Sequence, residues 1–189
     1  YALFGMYHAR SVTVAEENPY FTVRDGCLYS AKNRREAIFE PKKDFLALLD
    51  KLPSDYEERE ELKIPAGTTV VPPYLLSKRS KVRRLVLPKS LVYIDAIAFY
   101  GCKTLKEVIF HPESKNVRLY RSAFAYCTAL ERVSFSKGVE LYDDNVFAYC
   151  TALKELSLPE EAALGNYAFY GCTSLASVTV SEGTKSIPL

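Results

Sequence analysis

A thirteen-residue phrase recurs along the chain and fixes what it can fold into. It reads AFYGCKTLKEVIF at 98–110, AFAYCTALERVSF at 123–135, VFAYCTALKELSL at 146–158 and AFYGCTSLASVTV at 168–180. Its phenylalanine stands at 99, 124, 147 and 169, so successive copies are 25, 23 and 22 residues apart. A unit of that length cannot bury an apolar face alone. Copies must stack on one another, and the stack is a solenoid.

The period extends beyond the four clear copies. YALFGMYHARSVTV at 1–14 overlays Tyr167 to Val180 at a constant offset of 166, with Leu3 on Phe169 and Met6 on Cys172. At the other end EGTKSIP (182–188) overlays AGTTVVP (66–72) at an offset of 116. The chain thus opens inside a repeat and stops within one, which leads us to expect a longer parent chain. Strand endings at Val14, Ile64, Leu87, Phe110, Phe135, Leu158 and Val180 count seven rungs. At about 4.8 Å per strand they make a parallel stack about 30 Å long.

Between Val14 and Ile64 lie 50 residues where one period would serve. The turn dipeptides Asn18-Pro19 and Asp25-Gly26 separate short apolar runs at 21–23, 27–30 and 36–39, the pattern of a small β-meander. Asp44 then suits a helix N-cap, and Phe45, Leu48, Leu49 and Leu52 follow helical spacing up to Pro53. The acidic run 57–61 reads as a solvated stretch. The expected organisation is a single repeat domain over 1–189, with an inserted hairpin and short helix at 15–61 and the main array at 62–189.

Side chains alternate along a strand, so the repeat sorts its residues into two sets. Phe99, Cys102, Leu105, Val108 and Phe110, with their equivalents, point inward and build a ladder core. Glu107, Ile109 and His111 point outward onto the face that a solenoid offers to partners. The pattern AFYGCTSL, a short strand, a Pro-containing turn and a return segment such as SLVYIDAIAF resembles the BspA-like leucine-rich repeats, typical of bacterial surface proteins. VAEENPYFTVRDGCLYS at 14–30 is similar to the hairpin inserted in that family. The resemblance implies a β-rich leucine-rich-repeat solenoid with a short parallel sheet on one face. It also implies a cell-surface or secreted protein that binds a host or neighbouring-cell protein or glycan.

The outward columns nominate a contact surface. One column reads Arg84, Glu107, Arg132, Glu155, with charge alternating rung by rung; its neighbour reads Val86, Ile109, Ser134, Ser157, Thr179, grading from apolar to hydroxylated. Arg84, Val86, Glu107, Ile109, His111, Arg132 and Ser134 are therefore the candidate ligand-binding residues, against the plainer account that β-branched residues suit strands and alternating charge sets register. The tyrosines at 100, 126, 149 and 170 offer a second ridge.

Composition narrows the partners. The 25 basic and 23 acidic residues leave a net charge of +2, and the alternating column is no basic stripe, which disfavours nucleic acid. No apolar run reaches the roughly 18 residues of a membrane span, so no insertion by this chain is expected. Cys102, Cys127, Cys150 and Cys172 share one column that accepts Met6 in the first repeat, which reads as packing by free thiols and not as a metal ladder. With only His8 and His111, no phosphate loop and no nucleophile elbow, neither a catalytic site nor a cofactor is expected. Carboxylate pairs such as Asp143-Asp144 read as solvated turn residues. The uncapped end rungs lead to an expectation of end-to-end self-association. The alternative to a binding module is a spacer that presents another domain.

Overall fold

A computed structural model describes residues 21–24, 27–30, 37–39 and 47–180, apart from 77, 79, 142, 160, 161 and 163. The chain divides into two units, 1–49 and 50–189. In the first, β1 (Phe21–Arg24), β2 (Cys27–Ser30) and β3 (Ala37–Phe39) form an antiparallel sheet in that order. Arg24 pairs with Cys27, the Asp25-Gly26 and Asn18-Pro19 turns expected from the sequence fall outside the described residues, and the ladder between β2 and β3 slips at Leu28/Tyr29. The three apolar runs of the meander are thus three strands. Of the expected helix, 47–49 is helical and the chain turns at 50–51, so Leu52 lies beyond the helix instead of closing it. Asp44, Phe45 and the first rung at Val12 to Val14 fall outside the described residues.

The second unit is the solenoid. Its strands are, in chain order, β4 (Glu61–Lys63), β5 (Val70–Val71), β6 (Arg84–Val86), β7 (Tyr93–Ile94) and β8 (Glu107–Ile109). They continue as β9 (Val117–Leu119), β10 (Arg132–Ser134), β11 (Val139–Glu140), β12 (Glu155–Ser157) and β13 (Ser177–Thr179). The even-numbered strands from β4 to β10 stack in parallel as a front sheet, and β12 pairs with β13 in the same sense. Expectation placed one sheet here. A second parallel sheet, β5-β7-β9-β11, lines the back and is prolonged by the Leu141↔Leu164 bridge. The return segments form it because Val71, Ile94, Leu119 and Leu141 bury one residue per rung against the same core the front strands fill.

The third side of each rung is the Phe-Cys turn. Phe99, Phe124 and Phe147 are fully buried, and their rings stack at 4.9 and 5.1 Å between centroids, with Phe169 following at 5.9 Å. Backbone bonds tie the turns as regularly as the strands: Phe99 N–H to Ala123 O, Phe124 N–H to Val146 O and Phe147 N–H to Ala168 O, at 2.8 to 2.9 Å. Burying such a ring contributes about 1.5–3 kcal/mol. Each stacked pair adds roughly 0.5–1.5 kcal/mol. The acidic stretch before β4 also joins the array, because Lys81 and Arg83 donate their N–H groups to Glu57 O and Glu60 O.

Candidate functional site

The front face carries the sequence-nominated columns in register. Arg84 pairs with Glu107 and Arg132 with Glu107 along the sheet, and Val86 and Ser134 both flank Ile109. Leu85 and Val108 beneath are fully buried, which turns Arg84, Val86, Glu107 and Ile109 outward. Glu107 lies 3.4 Å from Arg84 and 3.7 Å from Arg132, and Arg84 reaches back to Glu61 at 3.5 Å. The charges therefore cancel in a chain, Glu61-Arg84-Glu107-Arg132. Such exposed pairs contribute at most about 1 kcal/mol each. Val86 and Ile109 are half-buried side by side. His111 lies beyond the strand, in the link to β9, where its Nδ1 accepts the Glu113 N–H at 3.2 Å. The structure thus brings six of the seven nominated residues onto adjoining front strands and gives His111 to a turn.

The charge column does not run on to Glu155. Arg132 and Glu155 make no ion pair, and no strand pairing joins β10 to β12 although the back sheet and the Phe turns continue across that level. A cleft of about 430 Å³ opens there, floored by Val133, Phe135, Leu156 and Leu158, with Ser134 and Ser157 on its lips. Val133 and Phe135 are only half-buried, whereas their ladder equivalents Val108 and Phe110 are buried. Seven residues (110–116) link β8 to β9, but only four (135–138) link β10 to β11. The short link is drawn against the long one before it: Val117 N–H donates to Gly138 O at 2.7 Å, and a Cβ on Gly138 would lie 2.6 Å from Asn116 N.

The BspA type Leucine rich repeat region matches residues 69–189 in six copies. The chain belongs to this family. No curated protein sequence matches it. Among solved structures it is similar to a leucine-rich repeat protein of T. pallidum, at 26% identity over 63% of this chain and 57% of that one, with a TM-score of 0.58. The pneumococcal vaccine antigen PcpA matches at 22% identity over 95% of this chain and 35% of its own, with a TM-score of 0.51. A leucine rich cell surface protein from Faecalibacterium prausnitzii matches at 17% identity, over 89% and 45% of the two chains, with a TM-score of 0.54. The chain spans about a third to three fifths of these proteins.

In this BspA-type array the cysteine column does more than fill space. Cys127, Cys150 and Cys172 place Sγ 3.1 to 3.3 Å from the carbonyls of Phe99, Phe124 and Phe147, one rung back, and Cys102 reaches Leu76 O at 3.8 Å. Each thiol thus donates to a turn carbonyl of its neighbour. The adjacent Cys127 thiol and then burial push Cys102 well above the usual thiol range, burial does the same for Cys150, and burial also raises Cys172. All four are free thiols, and no metal-binding group of His, Cys, Asp and Glu occurs among the described residues.

The tyrosine ridge exists, but on two different positions of the repeat. Tyr100 and Tyr170 directly follow the Phe, ahead of Gly101 and Gly171 in left-handed backbone; Tyr126 and Tyr149 occupy that left-handed position themselves, at φ 62° and 59°. Their rings still meet, at 5.2, 4.5 and 5.4 Å from rung to rung. Asp143 and Asp144 are not merely solvated: they accept N–H bonds from Arg121 and Asn166, tying three turns together. The gap at β10 was not anticipated.

Proposed function

We propose that this array is a non-enzymatic binding module of a cell-surface or secreted protein, and that it contacts a protein or glycan of a host or neighbouring cell through its front face. The pairing of Val86 with Ile109 carries the reading: two half-buried apolar side chains sit in register, beside a charge ladder that cancels itself. A partner laid on this strip desolvates apolar area without stripping an unpaired charge, which favours contact. Likeness to a leucine rich cell surface protein and to a vaccine antigen supports the surface setting.

The same cancelled charges favour a second reading, an inert spacer. Display of the array on cells or on protein and glycan panels separates the two. The binding module gives a saturable interaction that Val86→Asp with Ile109→Asp abolishes while circular dichroism and melting temperature stay near wild type. Saturable binding that survives the double substitution would refute the choice of face, and no binding at all would leave the spacer.

A further inference from the structure

We propose that Tyr126 and Tyr149 form an oxidative cross-linking site, at which a peroxide-driven one-electron oxidant joins the two rings by a carbon-carbon bond between their Cε atoms. Both residues stand where other copies of the repeat have glycine, in left-handed backbone at φ 62° and 59°. Tyr126 N–H bonds to Ala148 O at 2.8 Å, which ties the two turns one rung apart. The same backbone conformation on adjacent rungs sends the two side chains out side by side. Their rings therefore stack, 4.5 Å between centroids and 19° from parallel. Other tyrosine pairs among the described residues meet differently: Tyr100 with Tyr126 at 52°, and Tyr93 with Tyr120, Tyr149 with Tyr170 and Tyr167 with Tyr170 at 82° to 88°. Tyr100 and Tyr170 lie one position earlier in the repeat, so they reach the pair from another direction. Gly171 backs the Tyr149 ring from the next rung, where an ideal Cβ would lie 2.6 Å away, and limits its swing away from Tyr126.

Stacking of this kind suits radical coupling. A phenol that loses one electron and one proton becomes a phenoxyl radical, with spin on the oxygen and on the ring carbons ortho and para to it, in p lobes perpendicular to the ring. The para carbon carries Cβ, so the Cε atoms are left to couple. Near-parallel rings aim those lobes at each other, and a pair held in that geometry reacts without a diffusional encounter. The atoms balance. One hydrogen peroxide takes an electron and a proton from each ring and leaves as two waters; the two radicals form the Cε–Cε bond; each bonded carbon then gives up its hydrogen as a proton while its ring oxygen regains one, restoring two phenols. Tyr126 is 41% exposed, so an oxidant reaches the pair. The thiols that follow each tyrosine, Cys127 and Cys150, are turned into the core against the carbonyls of Phe99 and Phe124, away from the oxidant. Tyr126 and Tyr149 lie in the turns that lead into β10 and β12, the level at which the front strands do not pair. The cross-link therefore supplies a covalent tie between two rungs that lack one of their usual three.

The site belongs to the Phe-Cys turn side of the array and does not depend on the front-face reading. The test treats the purified array, at micromolar concentration, with a haem peroxidase and one equivalent of hydrogen peroxide, and reads dityrosine fluorescence and the mass spectra of proteolytic peptides. Expected is a monomeric product lighter by two hydrogens, in which the link from Tyr126 to Tyr149 exceeds any other pair by about tenfold or more. Tyr126→Phe and Tyr149→Phe each keep a ring that stacks and abolish this link, whereas Tyr100→Phe and Tyr170→Phe retain it. Denaturing the chain before oxidation scatters linkage over its 14 tyrosines. In the linked product, amide exchange in β12 and β13 is slower than in the untreated array; unchanged exchange would overturn the role as a tie. Linkage mainly through another pair, linkage only between molecules, an equal yield of the same link from the denatured chain, or no dityrosine at all would each overturn the assignment.

Discussion

The ring of Tyr149 lies 2.6 Å from where a Cβ on Gly171 would stand, one rung further along the array. Gly171 is also in left-handed backbone, at φ +74°. Gly171→Ala therefore meets both a backbone penalty and a ring that must swing away from Tyr126 and Tyr170. Gly67, at φ +82°, has nothing within 4 Å of its ideal Cβ. Chemical denaturation is expected to show Gly67→Ala costing about 1 kcal/mol and Gly171→Ala about 2–3 kcal/mol. Equal costs would mean that the ring moves freely.

Phe124 is stacked on both sides, by Phe99 and Phe147. Phe124→Ala removes a fully buried ring from the middle of the ladder and is expected to destabilise by about 3–5 kcal/mol. Denaturant melts of the purified variant measure it; a loss under about 1 kcal/mol would show that neighbouring rings close the hole.

Glu107 holds the front-face charge ladder together between Arg84 and Arg132. Glu107→Lys places three cations in a row, with an expected cost of about 1 kcal/mol at low salt. Raising the salt to the molar range should shrink that cost, because exposed charges are screened there within about 3 Å. A salt-independent cost would point to packing instead.

Alkaline pH should weaken the fold. Cys102, Cys150 and Cys172 all have raised folded-state values, so the native state keeps protons that the unfolded chain releases. Their stabilising share is complete below the unfolded thiol value of about 8.5 and is lost as pH rises beyond it. Tyr56, which donates to Leu75 O and is raised by burial and by Glu57 to about 12, adds a loss between pH 10 and about 12. Melting temperature measured across this range should fall. Cys102 and Cys150 should resist alkylation at neutral pH until the chain is denatured.

What could be read in advance was whatever each rung repeats at one position. The phenylalanine and cysteine columns and the alternating Arg84, Glu107, Arg132 set are single residues at a fixed period, and period 2 within the strand assigns their faces. The back sheet was harder to read, because Val70–Val71 and Tyr93–Ile94 are two-residue strands, too short to show an alternation. Tyr126 in left-handed backbone was hidden because the sequence shows only a tyrosine where another copy has glycine. The cleft lies where β10 and β12 fail to pair, a relation between neighbours which no single repeat contains.

Three ties couple each rung to the next: front strand, back strand and Phe turn. Between the rungs of β10 and β12 the front tie is missing while the other two persist. In a one-dimensional array, cooperativity is the product of nearest-neighbour couplings, so a single weakened coupling divides the whole into blocks. The rungs beyond Ser134 are thus the block that opens first, and amide exchange there should report a subglobal free energy below that of β4 to β8. A solenoid that looks uniform in its repeats would then unfold in two steps, with the seam at the unpaired level between β10 and β12.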